Sequence, residues 1–464
     1  MVTLLGYGTT TKSLCSFLNA QGIQTRIYDD LFTCKQTDSF GNELLPTTDS
    51  HIQEFYPMQS QSTPYKLFEE VSKLDSIKNL KNICITSPGI PPHHKLIIQA
   101  QKLGVLLSEY DFFYALLENQ GLKPPLQPEI AWISGTNGKT TTTQLTQRLL
   151  AHLDAQSGGN IGTPLCTLFE NRTKIWILET SSFSLHYTYT ATPKVYALLP
   201  VSQDHIAWHG NYENYLNDKL SVLERMKNGS FAILPQEFIE HKSVQAFKGN
   251  AIYYRNSKDL ATQLHINLET IKLREPFLLD GLIALATSKF LCHKDSIEGD
   301  TRSGIKILNS FEIGTHRLEE FRDSHKNLWV DDSKGTNINA TIQALLRYKD
   351  YRILLILGGD DKGADFTPLF ECLQQLTQNT EIIVFAIGKS TSKILSFAKL
   401  YNLQAYECNY LQDAVLMIKT LRQKGDVALL SPACASLDQF TSYKQRGDLF
   451  QKYALDTNTQ PKAL

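Results

Sequence analysis

The sequence predicts an α/β protein of three domains, with parallel sheets covered by helices. Three observations carry that expectation. The chain has 464 residues, too many for a single core. Strand, tight turn and helix follow one another at several points, and the last third alternates strand-like and helix-like segments, the pattern of parallel sheets. A glycine-rich loop with the chemistry of a phosphate cradle sits between a strand and a helix.

The first strand–turn–helix beginning is Val2–Tyr7, then Gly8-Thr9-Thr10-Thr11, then a helix-like stretch to Ala20. A second strand, Thr25–Tyr28, ends at Asp29-Asp30. The stretch from Cys34 to Tyr65 is polar, rich in Pro, Ser and Gln and without a period, so it reads as long loops. Pattern returns at Ile83–Thr86, followed by Ser87-Pro88-Gly89-Ile90. Three prolines in Leu122–Pro128 mark a linker. The strand Ile130–Ile133 then leads into Gly135-Thr136-Asn137-Gly138-Lys139-Thr140-Thr141. Further strands are expected at Ile175–Leu178, Val195–Leu199, Leu328–Val330, Arg352–Leu357, Glu381–Ala386 and Asp426–Leu430, with a helix at Leu411–Arg422. The expected domains are residues 1–115, 116–312 and 313–464.

Composition narrows the function classes. Lys+Arg number 46 against Asp+Glu 47, a net charge of -1, which excludes a general nucleic-acid coat or a polybasic membrane surface. The 8 cysteines are scattered with no CxxC pair, so neither a zinc site nor a disulfide framework is indicated. The start, MVTLLGYG, runs straight into a strand and turn and does not read as a secretory signal. No apolar run reaches the roughly 18 residues that span a membrane. A cytoplasmic protein without membrane insertion is expected.

Gly135 to Thr140 is the sharpest chemical signal. Its glycines let backbone N–H groups converge on phosphate oxygens, and the following helix N-terminus adds a favourable field. Lys139 is placed to reach the β/γ-phosphates of ATP, and the Thr140 hydroxyl to bind Mg²⁺. The loop is shorter than the full Walker pattern. A second glycine-rich turn, Gly158 to Pro164 with Asn160, by itself means only a tight loop. Glu179 and His205 follow two strands, and ligands of open parallel sheets bind beyond such strand ends. Both are therefore candidate metal ligands, although Mg²⁺ prefers oxygen to imidazole. From its neighbours alone, Lys219 in Tyr215-Leu216-Asn217-Asp218-Lys219-Leu220 reads as a solvated helix lysine.

Taken in order, Gly135–Thr140, Glu179-Thr180-Ser181-Ser182, Asp204-His205, His316-Arg317 and Asp332-Ser333-Lys334 resemble the motifs of the Mur ligase family over nearly the whole chain. Within that family, Gly158–Pro164, Gly358–Phe366 and Leu430–Phe440 are most similar to the members that add D-glutamate to UDP-N-acetylmuramoyl-L-alanine. The resemblance implies a Rossmann-like N-terminal domain for the uridine nucleotide, a central P-loop ATPase domain and a Rossmann-like C-terminal domain for the amino acid. It implies ATP and two Mg²⁺ ions, held by Thr140, Glu179, His205 and a carbamylated Lys219. It assigns Lys139, His205, Lys219 and Lys334 to catalysis. ATP contacts are implied at Gly135–Thr141, Arg317 and Asp332. The uridine diphosphate region matches Gly8, Thr9, Thr10, Asp29, Asp30, Ser87, Pro88 and Gly89. The rest of the substrate matches Asn160, Thr180, Ser181 and Ser182, and D-glutamate matches Lys334, Thr336, Lys362, Ser436 and Tyr443.

Departures from the family pattern are Asp280, where an asparagine is usual, Tyr443 in place of a commoner Phe, and a long polar stretch from Asp38 to Ser62. The implied reaction forms an acyl phosphate from the muramoyl-alanine carboxylate and ATP, and the amine of D-glutamate then displaces phosphate. Domain closure and a monomeric state are expected. Alternatives are a folylpolyglutamate synthetase-like ligase, another Mur-type ligase with a different amino acid, and a non-catalytic nucleotide-binding protein.

Overall fold

The structure is a computed structural model that describes residues 1–48, 63–74, 76–119, 127–292 and 297–456, without the side chains of 297–301. Residues 49–62 of the long polar stretch and 122–126 of the proline-rich linker lie outside the described residues. The chain divides into two compact units, Met1–Ser310 and Phe311–Leu464.

The first unit carries two six-stranded sheets. The N-terminal sheet comprises β1 (Val2–Leu5), β2 (Thr25–Tyr28), β3 (Gln36–Thr37), β4 (Glu43–Leu45), β5 (Cys84–Thr86) and β6 (Leu106–Ser108), in the order β3-β4-β2-β1-β5-β6. All its pairings are parallel except β3 with β4. The second sheet comprises β7 (Glu129–Ser134), β8 (Ala155–Gly159), β9 (Ile175–Glu179), β10 (Val195–Leu198), β11 (Phe231–Pro235) and β12 (Asn250–Tyr254), in the order β12-β11-β10-β7-β9-β8 and wholly parallel. Strands β9 and β10 are buried along their full length. Continuous burial requires cover on both faces, which explains their unbroken apolar runs.

The second unit holds β13 (Glu319–Arg322), β14 (Leu328–Asp331), β15 (Ile353–Gly358), β16 (Ile382–Ile387), β17 (Gln404–Asn409) and β18 (Val427–Leu430), in the order β13-β14-β18-β15-β16-β17. Only β13, against β14, is antiparallel. The α/β class is as expected. The loop reading of residues 34–65 is corrected, because β3 and β4 pair inside it. Strands of two and three residues are too short to show a period. The 115/116 boundary falls inside helix Glu109–Glu118, and 312/313 falls two residues past the division between the units.

Helix Glu109–Glu118 joins the two sheets of the first unit. Tyr110, Phe112, Phe113, Trp132, Trp176 and Leu178 belong to one apolar cluster with β1, so the two sheets share a core. The buried Tyr114 hydroxyl accepts from the Trp132 indole at 2.8 Å. Asp111 is fully buried on the same helix, and its carboxylate accepts backbone N–H groups of Tyr189, Thr190 and Ala191 at 2.8, 2.9 and 2.7 Å. Burial pushes the Asp111 carboxyl up, against the three N–H donors that favour its charge. Asp111→Ala strands those three donors. It is expected to lower unfolding free energy by about 3 kcal/mol, read as a lower urea midpoint for the first unit.

Candidate active site

The phosphate loop follows β7, one of the two central strands of its sheet, and ends where helix Lys139–Leu149 begins. Gly135 has φ of 135° and Gly138 of 81°, backbone that side-chain-bearing residues rarely adopt. A Cβ on Gly135 would lie 2.6 Å from Leu199 Cβ, and one on Gly138 would meet the Asp280 carboxylate. Glycine at both positions lets the chain pass Leu199 and Asp280 closely. Lys139 Nζ donates to the Gly135 and Thr136 carbonyls at 3.0 and 2.8 Å, so the ammonium lies over the loop. Asp280 sits on helix Phe277–Cys292, buried beside Gly138, so the departure from asparagine falls at the loop itself.

Beneath the loop lies Lys219. Its side chain is fully buried, which corrects the reading of a solvated helix lysine. Nζ donates to the Gly135 carbonyl at 2.9 Å and lies 4.7 Å from the centre of the Tyr215 ring. Burial, reinforced by the charge of Lys139, holds its pKa well below the ordinary lysine range. Nothing in the local pattern reveals this, because the burial comes from packing of helix Tyr212–Leu220 against the loop. The Tyr215 hydroxyl lies 2.9 Å from Thr136 Oγ1, and Thr136 Oγ1 also donates to the Ser202 carbonyl at 3.0 Å. Sequence reasoning passed over Tyr215.

Glu179 ends β9, directly beside the last residues of β7. Its side chain is buried, with Oε1 accepting from Asn160 Nδ2 at 2.8 Å and Oε2 left without a hydrogen-bond partner. An unpartnered buried carboxylate oxygen beside a phosphate loop suits a hard cation. Thr140 supplies a hydroxyl from the first turn of the neighbouring helix. His205 begins helix Ile206–His209 with φ of 54°, its ring centre 4.7 Å from that of Phe183. The donors are oxygens plus one imidazole, so the residues fit Mg²⁺ through Thr140 and Glu179 more readily than through His205.

A hydrogen-bonded row missed in the sequence runs from Ser182 Oγ to His209 Nε2 at 3.0 Å, then from His209 Nδ1 to Asp218 at 2.8 Å, and from Asp218 to His186 at 3.0 Å. Although burial works against it, the hydrogen bonds from His186 and His209 hold the Asp218 carboxyl below its usual range. The row ties the strand end at Glu179 to the helix that carries Lys219. Thr180 N–H donates to the Ile133 carbonyl at 2.8 Å, and Ser181 caps helix Ser182–His186.

Of the expected nucleotide-site residues, Thr9, Thr10, Pro88 and Asn160 line one cavity of about 370 Å³. Gly8 caps helix Thr9–Ala20 without a side-chain hydrogen bond. Asp29 instead holds its own loop, accepting from the Tyr7 and Leu31 N–H groups at 2.6 and 2.8 Å. Asp30 accepts from Thr47. Ser87 N–H donates to Leu5, and the Gly89 carbonyl accepts from the Trp208 indole at 3.2 Å.

In the second unit, Asp332 follows β14 and Ser436 follows β18. Asp332 is buried and accepts from Ser431 Oγ at 2.7 Å; burial raises its carboxyl to about 7, partly countered by Ser431 and Arg317. Lys334 Nζ lies 4.4 Å from the centre of the Tyr443 ring, and the Thr336 N–H donates to the Lys334 carbonyl. Lys362 is exposed with φ of 50°, its N–H donating to Asp360 at 3.1 Å, and Ser436 is buried. Arg446, unremarked in the sequence, is fully buried and donates to Ser333 Oγ, the Ser333 carbonyl and the Cys434 carbonyl at 2.9 to 3.2 Å. It staples the Asp332–Lys334 turn to the loop after β18, and burial lowers its pKa to about 10. Arg446→Ala leaves those acceptors unmet and is expected to cost about 3 kcal/mol, read as selective loss of the second unit's unfolding transition.

Residues 133–272 match the Mur ligase middle domain. The chain is 45% identical, over 97% of its length and 98% of the relative's, to a UDP-N-acetylmuramoylalanine--D-glutamate ligase of Campylobacter jejuni. It is 43% identical to the protein of that name from Helicobacter pylori, over 98% and 99% of the two chains. Among solved structures, UDP-N-acetylmuramate-alanine ligase MurC from Thermotoga maritima aligns with a TM-score of 0.50 at 14% identity, over 97% of this chain and 98% of that one. A pseudomurein peptide ligase type C from Methanothermus fervidus aligns with a TM-score of 0.51 at 12% identity, over 97% and 99%. These two show the fold alone. The near full-length likeness to the Campylobacter and Helicobacter proteins settles the kinship: the chain belongs to the Mur ligase family.

Proposed function

We propose that the protein is an ATP-dependent ligase that joins D-glutamate to UDP-N-acetylmuramoyl-L-alanine, giving ADP and phosphate, in peptidoglycan precursor synthesis. The single observation that carries the chemistry is the cluster at the strand ends of the second sheet. There Lys139 lies over the phosphate loop, Glu179 offers an unpartnered buried oxygen, and Lys219 lies buried against the Gly135 carbonyl. The choice of D-glutamate rests on the names of the relatives and on the likeness at Lys334, Thr336, Lys362, Ser436 and Tyr443.

In this reading the three domains are residues 1–115 for the uridine nucleotide, 116–312 for ATP and 313–464 for the amino acid. The protein works as a cytoplasmic monomer; among the described residues no helix is long and apolar enough to cross a membrane. The reaction has two balanced steps. A carboxylate oxygen of the alanyl group bonds to the γ-phosphorus as the bond to ADP breaks. The D-glutamate amine then bonds to the acyl carbon, phosphate departs with the former carboxylate oxygen, and the ammonium formed loses a proton.

Each residue has a task. Backbone N–H groups of the phosphate loop and the Lys139 ammonium hold the phosphate charge. Glu179 and Thr140 would hold one Mg²⁺, His205 and a modified Lys219 a second. Mg²⁺, when bound, supplies neutralisation that lets two anionic groups approach. Lys219 is suited to carry a carbamate. Its depressed pKa favours the neutral amine, which adds to CO₂, forms an N–C bond and releases a proton. Asn160, through its hydrogen bond to Glu179, fixes the orientation of that carboxylate. Arg317 and Asp332 contact the adenine nucleotide, while Thr180, Ser181 and Ser182 border the acceptor substrate. A second Arg/Lys-type role falls to Lys362, a donor for the side-chain carboxylate of the amino acid.

The test is ADP release with UDP-N-acetylmuramoyl-L-alanine and each candidate amino acid in turn. Turnover with D-glutamate is expected to exceed that with L-glutamate, L-lysine or meso-diaminopimelate by at least roughly 100-fold, the discrimination expected when charged groups are left unpaired. Turnover with one of the others and none with D-glutamate contradicts the proposal. Lys139→Ala is expected to abolish ADP production while leaving the unfolding midpoint within the range of surface substitutions; near-normal turnover removes the phosphate-loop assignment.

A further inference from the structure

The cavity that gathers Thr9, Thr10, Pro88 and Asn160 has two wall residues, Glu109 and Tyr110, that neither the motifs nor the resemblance assigns. They line it beside Ser184 and beside Gly159, Ile161, Gly162 and Pro164 of the second glycine-rich turn. Tyr110 is engaged, its hydroxyl donating to the Glu179 carbonyl at 3.3 Å. Glu109 is not. It is the first residue of helix Glu109–Glu118, is 8% exposed, and its Oε1 is buried without a hydrogen-bond partner. Leaving such an oxygen unmet costs free energy, and a site that will receive a ligand is where that cost persists.

Across the cavity is the N-terminus of the 12-residue helix Thr9–Ala20. Gly8 caps it and has no side chain to meet the first N–H groups. That end favours an anion. No lysine or arginine among the described residues lines the cavity. An anion there therefore faces Glu109 without an intervening cation. An ionised Glu109 would repel it; a neutral Glu109 can donate a hydrogen bond to it.

Resting on the nucleotide-sugar reading above, we propose that Glu109 is a specificity-determining residue that, as a neutral carboxyl, donates a hydrogen bond to an acceptor oxygen of the sugar-diphosphate held at the N-terminus of helix Thr9–Ala20. Its surroundings favour the neutral form. Burial raises the Glu109 carboxyl to about 8. The ionisable groups that couple to it are Tyr110 on its own helix and Cys166 on helix Leu165–Glu170, and both add negative charge when ionised. Asp111 next in sequence and Glu179 behind Tyr110 are also acidic. The charged residues of the other packed elements are exposed: Glu170, then Lys66, Glu69 and Glu70 on helix Pro64–Ser72, and Lys12 on helix Thr9–Ala20. The field at the start of its own helix favours the carboxylate, and burial outweighs it.

The sign of the pH effect follows. Glu109 is neutral and donating below about 8 and charged and repelling above it. Binding of UDP-N-acetylmuramoyl-L-alanine to the full-length protein, measured by calorimetry between pH 7 and 9, is expected to weaken as pH rises. Glu109→Gln keeps a neutral donor, so its Kd at pH 7 stays within about threefold of wild type and no longer rises with pH. Glu109→Leu keeps bulk without a donor and is expected to raise Kd at pH 7 about tenfold or more, the range for hydrogen bonds to charged groups, with kcat for ADP release within about threefold. A Glu109→Gln profile that rises in parallel with wild type overturns the proposal, as does unchanged affinity in a folded Glu109→Leu. Should Glu109→Leu not fold, the Glu109→Gln profile alone decides. Failure of the functional reading is separate: wild type that binds the nucleotide but releases no ADP with D-glutamate rejects the ligase reading and leaves the Glu109 profile readable. Wild type that does not bind the nucleotide rejects both.

Discussion

A lysine amine buried against the carbonyl of Gly135 is the constraint on which the rest of the site depends. A buried cation is costly unless partnered, and here the partners are the Gly135 carbonyl, the Ser134 hydroxyl at 3.4 Å, the face of Tyr215 and the more distant carboxylates of Asp204 and Asp218. The consequence is an amine biased toward neutrality directly beneath the phosphate loop. Around it the loop is fixed from several sides. Tyr215 and Ser202 hold Thr136, Lys139 lies over the loop carbonyls, and the row Ser182–His209–Asp218–His186 ties the Glu179 strand end to the Lys219 helix. The groups proposed to act are thus organised within the fold itself, which is what electrostatic catalysis requires.

The parallel sheet explains why these residues meet. Register pairs Ile133 with Glu179 and Ser134 with Leu198, so the phosphate loop, the Glu179 turn and the segment leading to His205 leave the sheet side by side. Three segments separated by dozens of residues become one rim. Helix Glu109–Glu118 extends that rim to the N-terminal sheet, with Asp111 fastening one side and Glu109 facing the cavity. In the second unit, Arg446 does for the Asp332–Lys334 turn what Tyr215 does for the phosphate loop: it satisfies buried acceptors and fixes a turn that carries candidate binding groups.

The sequence made several strands buried on both faces legible, but not β11, an interior strand buried over most of its length. Strands β7, β9, β10, β15 and β16 are continuous apolar runs, and each begins and ends within two residues of where the pattern placed it. Short and glycine-ending strands escaped. β3 and β4 are only two and three residues long, and β8 ends in Gly158-Gly159, which reads as a turn although both residues pair with β9. The phosphate loop, Glu179 and His205 could be singled out as candidates because spacing and strand ends announce them. Tyr215, His209, Glu109 and Arg446 could not, because their roles arise from contacts between segments far apart in the chain. Lys219 is the sharpest case: its neighbours are polar, and only tertiary packing makes it a buried amine.

The chemical state of Lys219 is the most direct measure of how the site works. The intact protein equilibrated with ¹³C-labelled bicarbonate and examined by ¹³C NMR is predicted to show a carbamate resonance that is absent from Lys219→Ala, and ADP release by that variant is predicted to fall to near zero and recover in part with short carboxylic acids. A Lys219→Ala protein with full activity, or wild type that is active with no carbamate resonance, would contradict the carbamate assignment.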